Sequence, residues 1–161
     1  MKNILSIVAL TLILSSFTDA QARADADYYL MWPGKWFRVE NGKVSKQPKF
    51  VVEQGLNARS FEEIWISDGY VAKAWRGWNS RKKRWDFAWV TDDGLFQIWE
   101  GRKVNGVWYM YNTFVVNGEP VISRQAFILE NDNTLVRTSE HSRDEGKTWR
   151  LRFRENYVKG K

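Results

Sequence analysis

The stretch from Tyr70 to Phe114 constrains the fold more than any other part of the chain. Bulky residues alternate there with small or polar ones, most clearly in the run from Trp85 to Trp89. The stretch holds six of the ten tryptophans, Trp75, Trp78, Trp85, Trp89, Trp99 and Trp108. A period of two with aromatic enrichment is typical of half-buried strands. The stretch therefore predicts a meander of antiparallel strands that share one aromatic interior.

Turn signals recur roughly every 12 residues, the spacing expected of all-β folds. Asn105-Gly106 is the strongest of them, because Asn-Gly accepts the positive φ that a type I′ turn needs. Asn117-Gly118 is expected to end the strand that begins at Val107, and Pro120 is expected to block its continuation. The predicted strands are residues 35–39, 49–53, 61–66, 70–78, 84–90, 95–103, 107–116, 121–129, 135–142 and 148–158.

About ten strands in sequential order would leave exposed edges unless the sheet closed on itself. The predicted fold is therefore all-β, an up-and-down antiparallel meander closed as a barrel of about ten strands, in preference to a sandwich. No window of the chain after residue 22 has a helical pattern. On the last strand, the predicted inner face carries Trp149, Leu151, Phe153 and Tyr157.

The first 22 residues have the pattern of a secretory signal peptide. Lys2 precedes an apolar run at residues 4–14, and Ala20-Gln21-Ala22 is an A-x-A cleavage site. The apolar run is too short to span a bilayer. Removing these 22 of the 161 residues leaves 139, a single domain at residues 23–161. We expect a periplasmic or secreted protein without a membrane span.

The chain contains no cysteine and a single histidine, His141. These counts argue against a disulfide framework, a thiol nucleophile and a cysteine or histidine metal site. We expect no metal, no cofactor and no catalytic His141, and so a binding protein rather than an enzyme. A hydrolase remains an alternative, with Glu53, Glu63 and Asp86 as candidates for an inward carboxylate pair.

The net charge of +6 comes with a basic cluster at residues 81–84. Such a surface is solvated or attracts anionic polymers. Nucleic acid is not an expected partner, because the chain has an export signal and no recognisable nucleic-acid motif. The sequence leaves the oligomeric state open.

Gly34-Lys35-Trp36 resembles the G-x-W motif that opens the first strand of lipocalins. The resemblance extends to the wider lipocalin-like, or calycin-like, barrels, because the flanking helix of true lipocalins is missing. It implies that Trp36 packs at the closed end of the barrel, covered by an arginine from the last strand. Arg152 and Arg154 are the candidates for that cation–π contact.

Residues 142–149 match the Asp-box pattern S-x-D-x-G-x-T-W at Ser142, Asp144, Gly146, Thr148 and Trp149. In propellers this box is a structural hairpin that repeats in each blade, whereas here it occurs once. With Glu140, the segment also resembles the last hairpin of uncharacterised secreted bacterial proteins with lipocalin-like barrels. Glu145 departs from the glycine of that pattern, which implies a slightly different turn.

The predicted function is to bind a small apolar or amphipathic ligand in an aromatic-lined cavity. The residues predicted to line the cavity are Trp65, Trp75, Trp85, Phe87 and Trp89. Arg124 is the candidate for holding an acidic head group if Ile122, Ala126 and Ile128 face inward with it. In the alternative register, residues 121, 123, 125, 127 and 129 face inward and Arg124 lies outside.

The first alternative function is a module that binds carbohydrate or the cell envelope through exposed aromatic and basic residues. Trp78, Trp99 and Tyr111 are its candidates, because they lie opposite the expected inner face of their strands. Tryptophan and tyrosine rings offer an apolar face with a polar edge, which suits stacking on a sugar.

Overall fold

A computed structural model describes residues 24–67 and 69–160 of the chain. Within these residues there are eleven β-strands and one helical turn, at residues 24–26. The strands are β1 (Gly34–Glu40), β2 (Lys43–Val44), β3 (Phe50–Gln54), β4 (Ser60–Ser67), β5 (Tyr70–Asn79), β6 (Arg84–Thr91), β7 (Phe96–Val104), β8 (Val107–Val116), β9 (Glu119–Asn131), β10 (Thr134–Ser142) and β11 (Arg150–Lys159). The predicted signal peptide, residues 1–22, lies outside the described residues.

Ten of the strands in the described part of the chain form a closed barrel. β1 pairs with β3, each later strand pairs with the next, and β11 pairs back with β1. All of these pairings are antiparallel, and β2 is a short extra strand beside β1. The predicted fold class, an all-β up-and-down barrel of about ten strands, is confirmed. Closure leaves each barrel strand hydrogen-bonded on both sides, which removes the exposed edges of an open sheet.

The barrel strands begin and end within two residues of their predicted positions, and β2 is an additional short strand in a predicted loop. Asn105 and Gly106 have φ values of 49° and 83°, as the predicted type I′ hairpin requires. β8 ends at Val116, as predicted, whereas β9 begins at Glu119, two residues before its predicted start, so that Pro120 faces Val115 of β8. Proline is tolerated there because it lies at the beginning of the strand and not in its interior. The helical turn at residues 24–26 was not predicted, because it is too short to show a period.

The segment before β1 closes one end of the barrel. Tyr29 and Trp32 are fully buried among the inward side chains of the strands. The Nε1 of Trp85 donates to the carbonyl of Asp25, and the Nε1 of Trp36 donates to the carbonyl of Trp32. The opposite end, where β6 ends and β7 begins, has no such cover among the described residues. The barrel therefore has a closed end and an open end.

Trp36 is fully buried beside Trp32, at the closed end where the G-x-W resemblance places it. The cation over its ring is Lys159, whose Nζ lies 5.4 Å from the ring centroid. The expectation of Arg152 or Arg154 is wrong for a geometric reason. Trp36 pairs with Lys159 in the β1–β11 register, which places both arginines several residues further along the barrel wall.

A β-bulge changes the inner face of the last strand. The β10–β11 register shifts between Ser139 and Glu140, so Ser139 faces Phe153 while Glu140 faces Leu151. Leu151 is 60% exposed, and the prediction that it faces inward is wrong. Bulges insert an extra residue and reverse the alternation beyond them. Glu155 and Tyr157 face inward like Phe153 and follow it along β11 toward the closed end.

The Asp-box segment forms the loop between β10 and β11. The carboxylate of Asp144 accepts hydrogen bonds from the Ser142 hydroxyl (2.6 Å) and from the backbone and hydroxyl of Thr148 (2.9 and 2.6 Å). These donors hold the pKa of Asp144 well below its ordinary value. Glu145 and Gly146 both have positive φ, and the Nε1 of Trp149 donates to the Gly146 carbonyl. Asp144 therefore acts as the centre of the turn.

Gly101 on β7 is a position where the packing requires glycine. A Cβ there would lie 2.3 Å from the carbonyl oxygen of Trp85. We expect Gly101→Ala to lower the free energy of unfolding by about 1–3 kcal/mol, because backbone atoms must shift. Gly77→Ala is the matched control, since a Cβ at Gly77 would meet nothing within 4 Å. Urea unfolding measures the stability of both variants. Equal losses of unfolding free energy would contradict a specific steric need for glycine at position 101.

Candidate functional site

An ion pair lies inside the barrel, between the neighbouring strands β4 and β5. The Nε of Arg76 donates to Oε1 of Glu63 at 2.9 Å, and both side chains are fully buried. Glu63 also accepts hydrogen bonds from the Nε1 atoms of Trp32 and Trp65, each at 2.9 Å. The carboxylate therefore has three donors on its two oxygens. Such saturation is what allows a charged pair to be buried.

Aromatic rings enclose the Arg76 guanidinium. Its Cζ lies 4.6 Å from the ring centroid of Tyr29, 4.7 Å from that of Phe87 and 4.6 Å from that of Phe127. Burial raises the pKa of the Tyr29 phenol well above its ordinary value, and the charge of Arg76 opposes that shift. The phenol stays neutral, so the enclosure contributes ring faces and one hydroxyl but no charge.

A second polar group faces inward nearer the open end. The guanidinium of Arg137 donates to Oε2 of Glu155 at 3.2 Å and to Oε1 of Gln125 at 2.9 Å. Glu155 also accepts from the Tyr157 hydroxyl at 2.7 Å and lies 3.7 Å from Arg38. Arg137 stacks over Trp65, with its Cζ 4.8 Å from the ring centroid.

A cavity of about 190 Å³ lies between these groups and the open end. Its walls combine aromatic rings with amide and guanidinium groups: Phe87, Trp89, Gln97, Trp99, Gln125, Phe127, Arg137, Arg152 and Phe153. Arg137 is already paired, whereas Arg152 forms no ion pair with any described residue. A wider groove of about 460 Å³ lies beneath the β1–β2 hairpin, but its lining is mostly polar and lacks aromatic residues.

Four of the five predicted lining residues face the interior, and they divide between its two ends. Phe87 and Trp89 line the cavity, while Trp65 lines a smaller adjoining space of about 90 Å³. Trp85 packs against Tyr29 near the closed end, with ring centroids 4.9 Å apart.

Trp75 lies on the outer wall and is 44% exposed, so its predicted inward position is wrong. The inner positions of β5 are Ala72, Ala74, Arg76 and Trp78. Ala72 pairs with Trp65 and Ala74 with Trp89, so large rings of the neighbouring strands fill the space over the alanines. The residue between Ala74 and Arg76 must then point outward.

Arg124 also lies on the outer wall, in the second of the two registers that the sequence allows for β9. Phe127 belongs to the core, so its face is the inner one. Arg124 pairs with Glu140 at 2.6 Å and stacks over Trp149, with its Cζ 3.9 Å from the ring centroid. The hypothesis that it holds a head group inside the barrel is therefore wrong.

Two of the three residues considered for a glycan platform are not on the outer wall. Trp99 is buried and lines the cavity, and Trp78 packs against the core. Tyr111 does lie outside, but Arg102 covers its ring at 4.8 Å and Trp149 contacts it edge-on.

The three carboxylates considered for catalysis do not meet at one site. Glu63 is inside and paired with Arg76, and Glu53 is exposed on the outer wall. Asp86 accepts hydrogen bonds from Arg84 (2.7 Å) and Asn79 (2.9 Å) at a partly buried outer position. Within residues 24–67 and 69–160, no group of three or more His, Cys, Asp or Glu side chains could hold a metal ion.

Sequence reasoning did not place Arg76, Gln97, Arg137 or Arg152 at the site, and it placed residue 125 inward only in the alternative register of β9. For Arg137 a signal was present, because it alternates with Leu135 and Ser139 on β10 in the pattern of an inner face. For Arg76 the sequence is misleading, because neighbouring residues of a strand face opposite sides. Burial preferences place Trp75 inside the barrel and therefore Arg76 outside, which is the reverse of the structure.

The sequence matches no protein-family model, and a search of curated proteins found no significantly similar sequence. In the described part of the chain, no helix has the length and apolar character needed to cross a bilayer. The residues themselves therefore carry the functional argument.

The raised pKa of Tyr29 makes stability depend on pH in alkaline solution. In the unfolded chain a tyrosine titrates near pH 10, whereas the folded protein keeps its proton to higher pH. The stabilising effect is complete below about pH 10 and is lost as the pH rises further, by up to about 1.4 kcal/mol per pH unit.

We therefore expect Tyr29→Phe to reduce the loss of unfolding free energy between pH 10 and 11. Urea unfolding at pH 9, 10 and 11 measures this loss. Tyr70→Phe, at an exposed position, is the control and should follow the wild type. If Tyr29→Phe loses as much unfolding free energy as the wild type over this pH range, the pKa of the Tyr29 phenol is not raised in the folded protein.

Proposed function

We propose that this protein is an exported, lipocalin-like barrel that binds a small amphipathic ligand, an aromatic ring bearing an acidic group, at its open end. The observation that carries the proposal is the cavity of about 190 Å³ with its aromatic walls and two arginines. Apolar walls with a few convergent polar groups are the usual character of a small-molecule site.

The volume of the cavity limits the size of the ligand. Drug-sized molecules occupy pockets of about 300–1,000 Å³, whereas a cavity of about 150 Å³ is enough for benzene. The closed end is filled by Trp32, Trp36 and Trp85, which leaves no depth for a long alkyl chain. A single ring with short substituents therefore fits best.

The charges at the cavity favour an acidic group on that ring. Arg152 is exposed and unpaired among the described residues, and Arg137 lies beside it on the same wall. Glu155, the carboxylate nearest to Arg137, is already engaged by Arg38, Arg137 and Tyr157. An incoming carboxylate would meet a cation at the rim without facing an unpaired anion.

Export and binding without catalysis complete the proposal. The signal-peptide pattern supports a periplasmic or secreted location, and the intact mass of the exported protein should correspond to a chain starting at Arg23. A mass that retains residues 1–22 would contradict it.

Glu63 and Glu155 point inward but are both paired with arginine, which favours a binding site over an acid–base pair.

Binding can be read from the indole N–H signals of the ten tryptophans in two-dimensional NMR spectra. We expect benzoate to shift the signals of Trp89 and Trp99, which line the cavity, and to leave Trp75 unmoved. Benzamide should bind about fivefold more weakly, because an exposed ion pair contributes up to about 1 kcal/mol. Unmoved Trp89 and Trp99 signals with either probe would refute a cavity for this class of ligand.

The rim arginine has a matched control on the same strand. Arg152→Ala should remove the preference for benzoate over benzamide, while Arg154→Ala should preserve it. Arg154 pairs with Thr138 across the sheet and makes only a loose contact with Glu130, at 3.9 Å. Equal effects of the two variants would mean that the preference reflects net charge rather than the rim site.

Glycan binding on the outer wall is the second candidate, and the exposure of Trp75 favours it. Trp75 pairs with Glu62 and Ala88 across the sheet and lies one outer position from Lys73, so a carboxylate and a cation lie on the same surface as the ring. Titration with a chitin oligosaccharide would then shift Trp75 and leave Trp89 and Trp99 in place. The same spectra therefore separate the two candidates.

A further inference from the structure

The terminal nitrogens of Arg76 are buried donors without an acceptor. Nε is engaged by Glu63, but neither Nη1 nor Nη2 has a hydrogen-bond partner among the described residues, although the side chain is completely buried. The Tyr29 hydroxyl lies beside the same guanidinium and has no hydrogen-bond partner of good geometry either, although it is close enough to Arg76 for a weaker polar interaction. Buried polar groups are hydrogen-bonded in the great majority of proteins, so this arrangement needs a physical explanation.

The charge balance decides what kind of group these donors suit. Glu63 already neutralises Arg76, and its oxygens are saturated by Arg76, Trp32 and Trp65. A second anion at Arg76 would leave a net negative charge in a buried aromatic enclosure, at high cost. A neutral acceptor, such as a carbonyl oxygen, would satisfy the donors and leave the charge balance unchanged.

Arg76 lies directly behind the wall of the cavity. Phe87 and Phe127 line the cavity, and the rings of both contact the Arg76 guanidinium, at 4.7 and 4.6 Å from Cζ to centroid. One layer of aromatic rings therefore separates the cavity from the unpartnered nitrogens. A ligand group in the cavity reaches these nitrogens only if one of the two rings moves aside.

We propose that Arg76 is an inner recognition residue whose Nη1 and Nη2 donate to a neutral carbonyl oxygen of the bound ligand. This inference rests on the proposed function, in which Arg152 receives an acidic group at the rim. Together the two arginines specify aromatic acids that carry a carbonyl group at the end of the ring opposite the acid. Carbonyl recognition by Arg76 is a property of the inner end and can fail independently of binding at the rim.

Two probes of nearly equal shape test the inference, 4-acetylbenzoate and 4-isopropenylbenzoate, in which a C=CH2 group replaces the ketone C=O. Both carry the carboxylate, but only the first has a carbonyl oxygen. We expect 4-acetylbenzoate to bind at least about tenfold more tightly, because a hydrogen bond from a charged donor replaces an unsatisfied one. With a ¹³C label at the ketone, infrared difference spectra should show its stretching band at lower frequency in the complex than in water.

Arg76→Lys removes the two Nη donors and keeps a cation beside Glu63. The variant should abolish the tenfold preference and the frequency shift. Arg124→Lys is the matched control, because Arg124 is also paired with a glutamate and stacked on aromatic rings, but on the outer wall. It should bind both probes as the wild type does. The band position in the wild type tests the inference even if Arg76→Lys does not fold.

The outcomes separate this inference from the proposed function. If both probes shift Trp89 and Trp99 but bind the wild type equally, the cavity is a ligand site and the role of Arg76 is refuted. If neither probe shifts these signals, both proposals fail. A preference that survives in Arg76→Lys would also refute the inference, since another donor would then hold the carbonyl.

Discussion

The buried pair of Glu63 and Arg76 is the interaction on which the rest of the interior depends. Removing one member of such a pair typically costs about 3–5 kcal/mol, because the other charge is left buried alone. Trp32 and Trp65 donate to Glu63, so they are held in place as well as buried. Trp32 belongs to the segment that closes the barrel, which means that the same carboxylate links the strands to the closed end.

This arrangement divides the barrel into a structural half and a half with free volume. Near the closed end, Tyr29, Trp32, Trp36 and Trp85 fill the space between the strands. Beyond the rings of Phe87 and Phe127 lies the cavity, and Arg137 on its wall forms a second neutral pair with Glu155. Some aromatic residues therefore fill the closed end, while others line the cavity. Their number in the sequence does not show which residues belong to which group.

The fold could be predicted from the sequence because alternation and turn residues are local signals. Asn105-Gly106 specifies its hairpin without help from distant residues. The site could be predicted only in part, because the face that a strand buries depends on its neighbours. Trp75 points outward since rings from β4 and β6 occupy the space above Ala72 and Ala74, and a bulge after Ser139 reverses the face of Leu151.

The pairing of the inner charges also determines what kind of ligand the interior can distinguish. Because Arg76 and Arg137 are each neutralised by a glutamate, the interior presents donors and ring faces but little net charge. The uncompensated positive charge lies at the rim and on the outer wall, where water screens it. A ligand would therefore be attracted and oriented by its acidic end, while its ring and its neutral oxygen would determine whether it fits. Selectivity for uncharged groups would then come from Arg76, because only a ligand with a suitably placed acceptor gains the hydrogen bond that its buried donors lack.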